Sequence, residues 1–293
     1  MQFDLFGDST TTALRNEVAD AAQALDAAAL ERAVAGLAAQ TPDDDVALAG
    51  QRLLLWLHER SRWALPEAVV ALDSDIERAA SCVLAGAATA WLADEWAGLA
   101  ARAEAATPDR AATDGHPAAL WLRGRRWPEA LAAAQSVESW HRKPQALAWA
   151  TEARLSQDGA RAALPWLAEL AWLAPTRLHG IAVRSVDPIL NRWWSAFEQG
   201  FDPEPGAVDA ETESEPEAVC RWWPAWLVLE QPNLAPALAL ARPGMDDAAE
   251  RAARCALALL RLEGLGRSPE LLSERRRLQS LHAGLFAAYL RRR

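Results

Sequence analysis

The chain of 293 residues carries 40 acidic against 30 basic side chains, a formal charge of −10. That excludes a nucleic-acid surface spread over the whole molecule, because neutralising phosphates needs clustered positive charge. Ala and Leu dominate a 51% hydrophobic composition with five Phe and one Tyr, and so few β-branched and aromatic residues favour helices over sheets.

Cys82, Cys220 and Cys255 are odd in number, far apart and flanked by apolar residues. They read as core residues of a reducing compartment, not as a disulfide framework or metal site. With no signal-like opening and no apolar run of the roughly 18 residues a span needs, the expectation is a cytoplasmic protein without a membrane partner.

The opening residues Gln2-Phe3-Asp4-Leu5-Phe6 hold three large apolar side chains, too many for an idle tail. Residues 1–7 are expected to be an extended binding peptide, with Asp8 or Ser9 capping the first helix. That helix runs to about Leu25. Asp26 starts a second, with Leu30, Val34, Leu37 and Ala38 on one face, and Thr41-Pro42-Asp43 ends it. A third helix from about Asp44 carries Leu53-Leu54-Leu55-Trp56-Leu57, apolar on every side and so expected between neighbours. Pro66 opens another stretch, and Ala79 to Ala105 reads as one long helix or a broken pair.

Asp202 to Glu217 holds seven acidic residues and no basic one, the composition of a solvated acidic loop. Short helices punctuated by Pro224, Pro232 and Pro243 follow, then an amphipathic helix over Asp247–Glu263. Ser268-Pro269-Glu270 is a strong helix start, opening a last helix that runs to the C-terminus. Arg275-Arg276-Arg277 and Arg291-Arg292-Arg293 on one continuous helix would lie about 25 Å apart. A phosphate-contacting strip is one reading of them. Ordinary solvation and favourable interaction with the helix C-terminus is the more economical one.

All fifteen tryptophans lie between Trp56 and Trp226. Arg192-Trp193-Trp194-Ser195-Ala196-Phe197 and Arg221-Trp222-Trp223-Pro224-Ala225-Trp226 share a pattern 29 residues apart. Arg192, Trp193, Trp194, Arg221, Trp222, Trp223 and Trp226 are therefore candidates for an aromatic groove that grips a ligand or peptide. Gap-filling between Ala-rich helices is the plainer alternative. The five histidines are scattered, and no His-Glu-x-x-His, Gly-x-Ser-x-Gly or phosphate-binding loop occurs. The expectation is a non-enzyme with no metal or cofactor. An all-helical, Trp-lined carbohydrate- or isoprenoid-acting enzyme is the outlying alternative, because it would need a carboxylate pair in a cleft.

Two resemblances add to this reading. Leu122-Arg123-Gly124 with Trp127-Pro128-Glu129-Ala130-Leu131 resembles the turn of a tetratricopeptide repeat, and Gly159 with Ala162-Ala163-Leu164 repeats it. Gly124 to Gly159 is 35 residues and Leu131 to Leu164 is 33, around that family's period of about 34. The resemblance implies an all-α fold of stacked antiparallel hairpins forming a solenoid, an array over 8–201 continued by 218–293 beyond the 202–217 loop. The pentapeptide resembles the Gln-Leu-(Ser/Asp)-Leu-Phe motif that docks bacterial replication and repair proteins on the DNA sliding clamp, with Phe3 where Leu is usual. It implies Gln2 at the pocket's edge, Asp4 as a polar spacer, and Leu5 and Phe6 in its apolar floor. Together they point to an adaptor with the clamp as one partner and a second protein on the scaffold. A peptide-gripping scaffold unrelated to replication is the alternative.

Overall fold

The structure is a computed structural model that describes residues 5–105, 115–201, 219–266 and 268–292, with side chains from residue 10 onward. Every regular element among them is helical. The chain forms two compact units, Met1–Arg126 and Trp127–Arg293. The division falls inside the first tetratricopeptide-like turn, between Gly124 and Leu131, and not at the acidic segment 202–217, which lies outside the described residues.

The first unit contains α1 (Leu5–Gln23), α2 (Ala27–Gln40), α3 (Asp45–Glu59), α4 (Leu65–Ala71), α5 (Glu77–Leu84), α6 (Ala88–Ala105) and α7 (Pro117–Arg123). A π-helical segment, Leu72–Ile76, joins α4 to α5. The pairs α1–α2, α2–α3, α5–α6 and α6–α7 pack in succession, α3 packs on α5 and α4 on α6, and α1 also meets α3 and α5. Asp8 and Ser9, expected to cap the first helix, lie inside α1, which begins at Leu5. The expected starts of α2 and α3, in contrast, are capped: Asp26 accepts from the Ala29 N–H at 2.9 Å, and Asp44 accepts from that of Val46 at 2.9 Å. Asp44 also receives Arg15 at 2.7 Å, tying α3 to α1. That guanidinium bond holds its carboxyl below the ordinary range against the opposing effect of burial. Gly50 allows the close approach of α3, since a β-carbon there would stand 2.7 Å from Val34 and 3.1 Å from Val18.

One expectation changes here, and one open alternative is decided. The stretch Leu53–Leu57 is not enclosed: Leu53 and Trp56 are buried but Leu55 is 56% exposed, because α3 turns a single face to its neighbours. The Ala79–Ala105 stretch is a broken pair, interrupted by a 3-10 turn at Ala85–Ala87 with Ala85 at φ 45°.

The second unit contains α8 (Trp127–Gln135), α9 (Pro144–Asp158), α10 (Ala160–Leu173), α11 (Pro175–Arg184), α12 (Pro188–Gly200), α13 (Trp223–Glu230), α14 (Ala235–Leu238), α15 (Ala248–Leu265), α16 (Pro269–Leu281) and α17 (Ala283–Arg291). Here α8, α9 and α10 pack in succession. Helix α13 behaves differently: all its residues from Trp223 to Leu229 are buried, and it touches α10, α12, α15 and α17. A solenoid repeat contacts only its neighbours in sequence, so this part of the unit is a bundle around a central helix. The cause is local, since a helix apolar on all sides has to be surrounded.

The Gly159 turn between α9 and α10, at φ 81°, is locked from a distance. Asp187 caps α12 through Ile189 and Leu190, both at 2.8 Å, and its other oxygen accepts from the Ala160 N–H at 3.2 Å. One carboxylate thus serves the N-termini of two helices. The expected single last helix is two helices. His282 leaves helical geometry at φ −163° and caps α17 through Nδ1, which accepts from Leu285 at 3.1 Å.

Candidate functional site

Gln2, Phe3 and Asp4 of the N-terminal peptide lie outside the described residues, as do the side chains of Leu5 and Phe6. The backbone is informative at one point. Helix α1 begins at Leu5, so residues 5–7 are helical where an extended peptide was expected.

The tryptophan motifs are brought together and enclosed. On α12 and α13, Trp194 faces Trp223 with ring centroids 6.1 Å apart, and Phe197 faces Trp226 at 5.5 Å. The shared pattern is therefore a repeated packing face, with i and i+3 positions of one helix meeting the matching positions of the other. Trp193, Trp194, Trp222, Trp223 and Trp226 are each at most 7% exposed. This burial favours the plainer alternative over the candidate groove: the indoles are core, filling the width that Ala-rich helices leave open. Arg192 is exposed, and Arg221 pairs with Asp247 at 3.0 Å. Arginine–indole stacking occurs elsewhere, with Arg123 4.5 Å from the Trp96 ring centre and Arg254 5.2 Å from that of Trp172.

The C-terminal arginines do not form a strip along one helix, because of the break at His282. Arg275 donates to the Tyr289 hydroxyl at 3.0 Å, Arg277 pairs with Glu274 at 3.7 Å, and Arg292 pairs with Glu230. Tyr289, buried and bonded to Glu263, has its hydroxyl pushed up to about 12. Cys255 is likewise an inert core thiol, raised to about 12 by burial.

Buried carboxylates organise both units, and composition gave no sign of which acids these would be. Glu95 accepts the Trp56 indole N–H at 2.8 Å and pairs with Arg60. Glu250 gathers the N–H groups of Gly244 at 3.1 Å and Asp246 at 2.9 Å, holding Asp246 at φ 52°. Glu169 accepts from the Arg242 N–H at 2.9 Å. Burial raises the Glu169 carboxyl, an effect that this bond and the charges of Arg242 and Arg254 only partly offset. No group of three or more His, Cys, Asp and Glu side chains gathers in metal-binding geometry among the described residues.

Open polar clefts occur in each unit. In the second, a cleft of about 270 Å³ between α9, α11 and the start of α12 is lined by Glu152, Ser156, Arg184, Ser185 and Asp187. Burial raises the Glu152 carboxyl against the pull of Arg184. In the first unit, a larger cleft of about 540 Å³ is lined by Asp73, Glu77, Ser81, Thr89, Trp96, Arg123 and Arg125, among others. Arg123 lies over Trp96 and pairs with Asp73, whose position is set by the π-helical segment. Sequence reasoning missed this site because its members come from two separate stretches, 73–96 and 123–125, and the π-helix has no pattern of its own.

Among the described residues no helix is long and apolar enough to cross a membrane. Comparison of the chain with protein-family models, with curated proteins and with solved structures finds no match.

Proposed function

We propose that the protein is a non-enzymatic adaptor that docks on the bacterial DNA sliding clamp through Gln2-Phe3-Asp4-Leu5-Phe6 and offers its helical body to a second protein. The observation that carries the reading is the pentapeptide, which keeps four of the motif's five positions and runs into the start of α1. Docking in an extended form requires the first turn of α1 to unwind. That turn opens at little cost, since the leading N–H groups of a helix have no intrahelical partners. Leu5 and Phe6 would fill the apolar floor of the clamp pocket, and Gln2 would bond at its edge. In this reading the successive hairpins of α1 to α3, and of α8 to α10, act as a tetratricopeptide-like scaffold. A short peptide binds weakly on its own, so the second contact supplies the residence time.

The test is a titration of full-length protein into purified bacterial sliding clamp, followed by fluorescence anisotropy or surface plasmon resonance. Binding is expected, with competition by a Gln-Leu-Asp-Leu-Phe peptide. Replacing Leu5 and Phe6 by Ala removes two side chains worth about 1.5–3 kcal/mol each on burial, a loss of affinity of more than roughly a hundredfold. Absence of binding, or binding indifferent to Gln2→Ala, Leu5→Ala and Phe6→Ala, overturns the reading.

A further inference from the structure

The cleft of the first unit has features that packing alone does not call for. Three departures from regular helix converge on it. The π-helical segment Leu72–Ile76 carries Asp73 to its rim, and such segments occur often at functional sites. Ala85, on its lining, has φ 45° and ψ −114°, a conformation L side chains rarely adopt. Arg125 holds φ 55° as the left-handed residue that ends α7: its N–H bonds to the Leu122 carbonyl, and the Arg126 N–H bonds to that of Trp121. Glycine is the ordinary residue at this position. Two of the five non-glycine residues with positive φ among the described residues therefore line this one cleft.

The charges are balanced and separable. Arg123 is already occupied, set against the face of Trp96 and paired with Asp73. Arg125 and Glu77 remain as a positive and a negative pole, both exposed, and neither forms an ion pair among the described residues. A purely anionic ligand would meet Asp73 and Glu77 unfavourably, and a purely cationic one would meet Arg123 and Arg125. An amphoteric ligand satisfies both poles. The Ser81 hydroxyl, which donates to the Glu77 carbonyl at 2.8 Å, still has acceptor capacity toward an ammonium. Leu92 and Ala93 add a small apolar wall, and about 540 Å³ falls within the range of small-molecule sites.

We infer that this cleft binds a small zwitterion of the α-amino acid class, its carboxylate on Arg125 and its ammonium on Glu77 beside Ser81. This does not depend on the clamp reading, and its test contains no clamp.

The experiment is isothermal titration calorimetry of the full chain with the free L-amino acids, each compared with its N-acetyl and its C-terminal amide derivative, and with short dipeptides. At least one free amino acid is expected to bind, and blocking either terminus weakens it tenfold or more. Tighter binding of a dipeptide than of any free amino acid would overturn the α-amino acid assignment, because a dipeptide holds its ammonium and carboxylate a peptide unit apart. The deciding variant is Arg125→Gly, which supplies the residue the backbone prefers. It should raise the melting temperature while abolishing binding, and Glu77→Gln should weaken binding without that rise. The inference is overturned if no amino acid or dipeptide binds at millimolar concentration. It is equally overturned if Arg125→Gly leaves binding intact, or if the blocked derivatives bind as well as the free ones.

Discussion

Tryptophan is used differently in the two units. In the first, Trp56, Trp91 and Trp121 each donate the indole N–H to a defined acceptor: Glu95 at 2.8 Å, the Ala22 carbonyl at 3.1 Å and Glu104 at 2.7 Å. These rings fix positions between helices distant in sequence. In the second unit Trp172 and Trp223 are enclosed without a hydrogen-bond partner for the indole nitrogen among the described residues, at 1% and 0% exposure. There the ring acts as hydrocarbon bulk, at the cost of an unmet donor. A chain short of Phe fills wide gaps between Ala-rich helices with the large side chain it has, and Trp194 is the contrasting case, its nitrogen satisfied by Glu198 one turn on at 2.8 Å.

The largest expected effect tests the bulk role. Trp223→Ala empties the centre of α13 and should cost about 3–5 kcal/mol, read as a lower midpoint in urea denaturation followed by far-UV circular dichroism. Trp223→Phe should cost much less, because it removes an unsatisfied donor together with part of the ring. Equal costs for the two variants would show that the indole nitrogen has a partner after all. Next in size is Trp56→Phe in the first unit. It leaves the buried Glu95 without its indole donor, a loss of about 2–3 kcal/mol once the missing volume is included. Adding Glu95→Gln should recover part of that. The order Trp56→Phe above Trp223→Phe is the sharpest form of the contrast, and reversal would break it.

How much of this was readable beforehand follows from the range of the forces involved. Caps and breaks are local, so Asp26, Thr41, Asp44 and Ser268 marked helix ends that the structure keeps. The pairing of Trp194 with Trp223 and of Phe197 with Trp226 was present as a repeated pattern, and its burial as the plainer of two readings. Adjacent tryptophans look alike on a surface and in a core, and which of them applies depends on α13 being surrounded. The break at His282 has no proline and only Gly284, two residues on, as a sign, since it is a histidine that caps from a non-helical position. The cleft of the first unit was invisible for the same reason as the role of Asp187: both are assembled from segments that only the fold brings together.

Asp187 gives the third test, on the part of the second unit that is held by polar contacts instead of aromatic bulk. Asp187→Ala removes the cap of α12 and the bond to Ala160 together, and should cost about 1–2 kcal/mol. Asp187→Asn, which keeps an acceptor, should cost less. A loss below that of an ordinary single cap would mean that the second helix N-terminus draws nothing from this carboxylate.

The smallest effect is one of slope with pH, and it again sets the units apart. Asp44 in the first unit has a depressed carboxyl, so its contribution is present above its unfolded value near 3.8 and is lost as pH falls through the lower folded value. Glu169 in the second unit has the opposite sign. Its folded carboxyl lies above the ordinary 4.5, so the folded state binds the proton more tightly, and stability falls as pH rises through the window between the two values. Glu169→Gln removes that ionisation while keeping an oxygen for the Arg242 N–H. The variant should gain on the native protein as pH rises from 4 toward 7 in a series of denaturation midpoints, with the gain levelling off above the folded value. If the native protein instead gains on the variant over this interval, the pairing of Glu169 with Arg242 and Arg254 outweighs its burial, and the carboxylate is a net stabiliser of the second unit at neutral pH.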